Sequence, residues 1–155
     1  MRAVVQRVSR ARVTVEGETT GSIDAGLCVL LSIGPRDDTT VADRLAGRVA
    51  TLRVFADAAG RMNLDLLAAG GAVLVVSQFT LHADTSRGHR PSFIGAAAPD
   101  LATQLCDRFV ETLRVRGLQV ETGRFGADMA VDLCNDGPVT VVLSSGEDPW
   151  EADAG

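Results

Sequence analysis

Two short stretches carry side chains that could do chemistry. The first is Ser77-Gln78-Phe79-Thr80-Leu81, which closes the apolar run Val73-Leu74-Val75-Val76 behind the breaker pair Gly70-Gly71. A β-branched run after glycines reads as a buried strand, here over residues 73–81. Period 2 would place Gln78 and Thr80 on one face with Leu74 and Val76, and Ser77 on the other with Phe79 and Leu81. Polar side chains in a buried strand are costly unless partnered. Ser77, Gln78 and Thr80 therefore mark either a site or a strand fraying into a polar turn. The second stretch is Asn135-Asp136-Gly137-Pro138-Val139-Thr140, set between two apolar alternations. Gly-Pro in that setting reads as a turn. An X-Pro bond is cis in only about 5–6% of folded cases, so the dipeptide by itself says little.

Other chemistries find little support. A hydroxyl nucleophile needs a base, and neither His82 nor His89 stands at a recognisable spacing from Ser77 or Thr80. Ser77 lacks the flanking glycines of a nucleophile elbow. There is no GxGxxG, P-loop or HExxH pattern. Cys28, Cys106 and Cys134 are far apart, form no CxxC, and have only the two histidines to join them. They are expected as free, buried thiols, with no metal site and no cofactor.

The elements that must position these residues follow from periodicity. Residues 3–15 read as one long strand whose apolar phase switches near Ser9-Arg10, where a bulge would restore a single buried face. Glu16-Gly17-Glu18 turns into a short strand over 19–23, and Leu27 to Ile33 is a continuous apolar strand. A helix is expected over 40–52, with Val41, Leu45, Val49 and Leu52 as its stripe and Thr40 and Asp43 as a weak capping pair. Residues 53–55 resume as a strand that turns back at 57–60. A second helix should open at Pro99 and end at Gly117, with Leu101, Leu105, Phe109 and Leu113 facing inward. Strands are expected over 118–122, at Met129, Val131 and Leu133, and over 139–143. The polar connection 82–98 holds Arg87, His89 and Arg90; connections this long are usually functional or mobile. The resulting class is α+β: a single domain over 1–144 with two helices covering a mainly antiparallel sheet. Residues 145–155 lack periodicity and are expected to be a disordered tail.

Composition limits the partners. The chain has 155 residues, 46% hydrophobic and 23% charged, which is ordinary for one globular domain. No apolar run reaches a membrane span, and the N-terminus lacks a signal-peptide pattern, so a cytoplasmic location without membrane contact is expected. A net charge of −5 argues against a non-specific DNA or RNA binder while leaving room for a local basic patch. Every basic side chain apart from histidine is arginine.

Taken together, MRAVVQRV at the N-terminus, SQFTLHADTSRGHRPSF in the centre and GADMAVDLCNDGPVT near the end resemble the bacterial D-aminoacyl-tRNA deacylase (D-tyrosyl-tRNA deacylase) family, in the same order and over nearly the whole chain. His82 stands where that family is expected to carry tyrosine, and Ser86 and His89 replace commoner basic residues. The resemblance implies a barrel-like sheet and a homodimer that hydrolyses the ester between a D-amino acid and the 3′-terminal ribose of tRNA. It implies a cis Gly137-Pro138 that enters the partner's active site to reject L-residues. It also implies a pocket lined by Ser77, Gln78, Phe79 and Thr80. Backbone amides of Phe79 and Thr80 would stabilise the oxyanion and the ribose 2′-hydroxyl would assist, with glycyl-tRNA also admitted. Alternatives are an acyl-enzyme hydrolase using Thr80 or Ser77, and a non-catalytic module that binds the tRNA end.

Overall fold

The structure is a computed structural model that describes residues 1–146. The expected tail falls largely outside those residues. The elements run β1 (Arg2–Val15), β2 (Glu18–Ile23), β3 (Gly26–Ser32), α1 (Thr39–Ala50), β4 (Phe55–Ala56), β5 (Met62–Leu64), α2 (Leu66–Ala69), β6 (Ala72–Ser77), α3 (Pro99–Val115), β7 (Val120–Thr122) and β8 (Ala130–Ser144). A 3₁₀ turn, Phe79–His82, follows β6.

One mixed sheet organises the chain. Its order is β2-β1-β3-β6-β7, with β8 on the other edge of β1. Pairing is antiparallel around β1, whereas β3–β6 and β6–β7 are parallel because α1 and α3 lie in their crossovers. Gly21 of β2 sits so close to the carbonyl of Thr122 that a Cβ there would lie 2.5 Å from its oxygen. The sheet thus curls back on itself, nearly closed, which is the barrel-like α+β domain expected.

Closure produces two cores. Alternation along β3 and β6 sends Leu27, Val29, Leu31, Val73 and Val75 under the helices, against Leu45, Val49, Leu105, Phe109 and Leu113. The intervening Cys28, Leu74 and Val76 point inside the curl with Val8, Ala11, Val13 and Ile23. Both faces of these strands are covered, which is why they read as unbroken apolar runs. The phase switch in β1 is met by register shifts around Val8, one of them between Val8 and Arg10. They let Ala3 and Val5 serve the first core while Val8, Ala11 and Val13 serve the second.

Several boundaries differ from the periodic reading. Helix α1 begins at Thr39, and its cap is Asp38, whose side chain accepts from Val41 N, rather than a Thr40–Asp43 pair. Asp43 is instead drawn to α3, accepting from Arg108 Nε and Nη2 at 2.7 and 2.6 Å and from the Thr112 hydroxyl. These donors hold its carboxyl at about 2. The 53–55 strand shrinks to β4, which pairs with β5 in a separate two-stranded ribbon. Helix α2, capped by Asp65, is too short to show a period. The apolar strands on either side of 135–138 are one strand, β8, so Gly137-Pro138 bulges from it and does not reverse the chain. No helix among the described residues is long and apolar enough to cross a membrane.

Candidate functional site

Strand β6 stops at Ser77, and the 73–81 strand is corrected accordingly. Gln78 N still donates to Leu31 O at 2.7 Å, the last link to β3. Beyond it the chain tightens into the 3₁₀ turn, so the strand-face placement of Phe79, Thr80 and Leu81 does not hold. The polar side chains were marking this change of direction. Turn formation leaves its first donors over: Leu81 N bonds Gln78 O, but the N–H groups of Phe79 and Thr80 have no acceptor among the described residues. They are two adjacent backbone donors at the end of a rigid strand.

Beside them opens a cavity of about 400 Å³. Leu31, Ile33, Ser77 and Gln78 form its strand side, Ala102 and Cys106 its helix side, and Phe79, Phe93 and Phe125 its rim. Phe79 is 57% exposed and meets Phe93 edge to face, with ring centroids 5.1 Å apart. Phe93 is brought there by the polar connection, which folds back through the Asp84–Ser92 bridge; Arg87, His89 and Arg90 stay in solvent.

The side chains beside the donors are not set up for covalent catalysis. Thr80 Oγ1 accepts from Gln78 Nε2 and contacts no histidine or carboxylate among the described residues. His82 is turned away, its Nδ1 2.6 Å from the buried Ser32 hydroxyl, which also lies 3.4 Å from Phe79 O. Burial lowers the pKa of His82, Arg2 and the N-terminal ammonium add to this, and Asp37 opposes it. Cys106 borders the cavity, but burial and then Asp107 push its thiol up to about 12, so it carries no thiolate at neutral pH. No group of three potential metal ligands forms among the described residues.

Gly137-Pro138 is built with equal economy. Between the pairs Val8–Asn135 and Gln6–Thr140, residues 136–139 of β8 face the single residue Arg7. Asn135 ties the base of this bulge, its Oδ1 accepting from Val139 N and its Nδ2 donating to Thr140 Oγ1, both at 2.9 Å. Arg7 braces it from below, Nε donating to Asp136 O at 2.9 Å and Nη1 to Val54 O. Val139 is buried in the first core. The Gly137-Pro138 bond is cis, and both residues are exposed. Gly137 has φ +143°, and a Cβ would lie 2.9 Å from Val139 N and 3.0 Å from Arg7 Nη2. Only glycine fits that backbone comfortably.

Within one chain the two stretches do not meet. Arg2 Nη1 donates to Leu81 O in the turn, while Arg7 Nε donates to Asp136 O in the bulge. Five strand residues at ~3.4 Å each place the Cα atoms of Arg2 and Arg7 about 17 Å apart along β1. Ser77, Gln78 and Phe79 line the cavity; Gly137 and Pro138 do not. Arg7, Asn135, Ser32, Phe93 and Phe125 have structural roles here that the linear reading did not assign. Arg7, Phe93 and Asn135 each lie inside a stretch that carried the family resemblance; Ser32 and Phe125 carried no signal of their own.

A near-closed mixed sheet with helices over its parallel strands, and a cavity where a strand becomes a turn, defines the architectural class. A model of the D-Tyr-tRNA(Tyr) deacylase family matches residues 4–144. The chain belongs to that family. A protein from Symbiobacterium thermophilum named D-aminoacyl-tRNA deacylase is 59% identical over 145 residues, 94% of this chain and 96% of the relative. Among solved structures, "c-Myc DNA Unwinding Element Binding Protein" superposes with TM-score 0.88 at 39% identity, covering 94% of this chain and 99% of the other. A "probable eukaryotic D-amino acid tRNA deacylase" superposes with TM-score 0.80 at 17% identity, covering 92% and 97%, a likeness of fold.

Proposed function

We propose that the protein hydrolyses the ester joining a D-amino acid to the 3′-terminal ribose of tRNA, releasing free D-amino acid and tRNA. The observation that carries this reading is the pair of unpartnered amides, Phe79 and Thr80, beside an apolar cavity, in a chain of this family. An aminoacyl ester is already activated. Water adds to its carbonyl carbon, the oxygen takes up the negative charge, and the acyl–oxygen bond to the ribose breaks. Two preorganised N–H donors stabilise that charge without a charged side chain. The neighbouring ribose 2′-hydroxyl relays the proton from water to the departing 3′-oxygen. Thr80 serves as a positioning group, since its hydroxyl meets no base among the described residues that would make it a nucleophile.

The cavity accepts the terminal nucleoside, whose base stacks on the aromatic rim. The amino acid then faces outward, where a second copy of the chain supplies the Gly137-Pro138 wall. The separation of about 17 Å along β1 supports that arrangement. So does the exposure of the bulge and of Val142 on β8, the outermost strand beside β1. In this homodimer the wall receives the small Cα hydrogen of a D-residue and collides with the side chain of an L-residue. Glycine, with hydrogens on both sides, passes, so glycyl-tRNA is also cleaved. Side chains that point outward are read weakly, so many D-amino acids are accepted. The cytoplasm, where charged tRNA is found, is the site of action.

The test is deacylation of D-tyrosyl-, L-tyrosyl- and glycyl-tRNA by purified protein, with acid quenching to trap any acyl-enzyme. Release of D-tyrosine and glycine, retention of L-tyrosine and no protein-bound acyl group are the expected results. A trapped acyl group would return the mechanism to Thr80 or Ser77. Tight tRNA binding without turnover would favour a binding module.

A further inference from the structure

On the far side of the Phe79–His82 turn lies a second cleft of about 520 Å³, bordered by Arg2, Arg36, His82, Gly95 and Ser144. Arg44 and Arg48 reach its edge from α1, donating to Ser145 O and Ser144 O at 3.3 and 3.0 Å. Four arginines thus gather at one end of a chain whose net charge is −5. Arg36, Arg44 and Arg48 are exposed and form no ion pair among the described residues. The nearby carboxylates are already engaged. Asp37 is paired with the Met1 ammonium at 2.5 Å and accepts from Gly34 N, and Asp38 caps α1. Arg44 and Arg48 stand four apart on one helix face, where like charges repel. Unpaired guanidinium forks at that spacing fit planar, bidentate recognition of phosphate oxygens.

The cleft and the cavity share the turn as their dividing wall: Phe79 borders one and His82 the other. A strand ending in the cavity that leaves past that turn enters the cleft. We infer that the arginine cleft holds backbone phosphates of the single-stranded acceptor end of tRNA, immediately 5′ of the terminal nucleoside. The inference rests on the reading of the cavity given above, and it explains how an acidic protein holds an anionic substrate through a few local contacts.

Binding of deacylated tRNA, measured against salt, reads the cleft independently of turnover. Each phosphate contact on a single strand contributes ~0.7 to the slope of log affinity against log salt. Arg36→Ala, whose side chain has no hydrogen-bond partner among the described residues, should lower the slope by about that amount, and Arg36→Ala with Arg44→Gln and Arg48→Gln by ~2. The same substitutions should have no effect on the slope for tRNA trimmed of its unpaired 3′ nucleotides. They should also lower kcat/KM on D-tyrosyl-tRNA relative to D-tyrosyl-adenosine, which has no phosphate. Unchanged slopes with intact tRNA in both Arg36→Ala and the triple variant would overturn the inference. Equal losses with trimmed and intact tRNA would overturn it too, placing the contact elsewhere on the nucleic acid. Failure of the wild type to hydrolyse either ester while these slopes still shift would instead sink the catalytic reading and leave the cleft standing.

Discussion

Replacing Phe79 by proline isolates one backbone donor. Phe79 is the first residue of the 3₁₀ turn, a position that accepts proline because its N–H has no internal partner. Its predecessor Gln78 has φ −146° and ψ 75°, outside the helical region that a following proline disfavours. The fold should therefore survive while one of the two free amides disappears. Loss of a single oxyanion donor costs about 2.7–4 kcal/mol of transition-state stabilisation, or roughly 10²–10³ in kcat. Proline also deletes the ring, so Phe79→Ala is the control. With 57% of the residue exposed and one edge-to-face contact to Phe93, alanine should cost about 0.5–1.5 kcal/mol, roughly a factor of 2–13, mostly in KM. The assay is single-turnover deacylation of D-tyrosyl-tRNA by both variants, with circular dichroism to verify folding. If folded Phe79→Pro matches Phe79→Ala in kcat, the Phe79 amide does not stabilise the transition state.

Three further outcomes follow from the same geometry. Thr80→Ala removes only a hydroxyl that accepts from Gln78, so deacylation should stay within about tenfold of wild type; a loss of several orders of magnitude in rapid-quench assays would make Thr80 the nucleophile. Gly137→Ala places a methyl where φ is +143° and Val139 N and Arg7 Nη2 are within 3.0 Å, at a cost of about 1–3 kcal/mol. Because the bulge is exposed it should shift locally, lowering D-over-L selectivity in paired D- and L-tyrosyl-tRNA assays while thermal melting falls by only a few degrees; unchanged selectivity would contradict the wall. The third concerns pH. Folding lowers the pKa of His82, chiefly by burial, so the unfolded chain binds its proton more readily. The stability this provides is present above the unfolded value of about 6.5 and is lost as pH falls toward the folded value. Melting temperature should drop across that interval, and His82→Asn should flatten the drop; a parallel pH profile for wild type and variant would refute the assignment.

How much of this could be read from the residues differs from element to element. The helical stripes and the apolar runs of β3 and β6 were legible because burial on one or both faces imposes the period. The bulge in β1 showed itself as a phase switch. The end of β6 did not, because Ser77, Gln78 and Thr80 satisfy a strand pattern and a turn equally well until Gln78 N is seen to make the last bond to β3. Asp38 won the cap from Thr40 because Asp43 was held by Arg108 and Thr112, 65 and 69 residues away in sequence. Asn135 and Arg7 brace the bulge from opposite ends of the chain, and Ser32 meets His82 across 50 residues. Such partners are set by sheet register, which no local pattern displays. The stretches 77–81 and 135–140 were legible as motifs; that the cavity takes in the first and leaves the second outside was not.

The central claim is that the pocket is completed by a second copy of the chain, and subunit mixing tests it most directly. Phe79→Pro removes one of the two donors of its own cavity, and Gly137→Leu obstructs the cavity its bulge would enter. Each homodimer should fall to about a hundredth of wild-type activity or below, with folding checked by circular dichroism. A mixed dimer has one pocket carrying both lesions and one carrying neither. Refolding the variants together at equal concentration should therefore restore about a quarter of wild-type deacylation of D-tyrosyl-tRNA, since half of randomly paired dimers are mixed and each has one intact pocket of two. No recovery, with mixed dimers verified by cross-linking, would place the whole site within one chain and contradict the account.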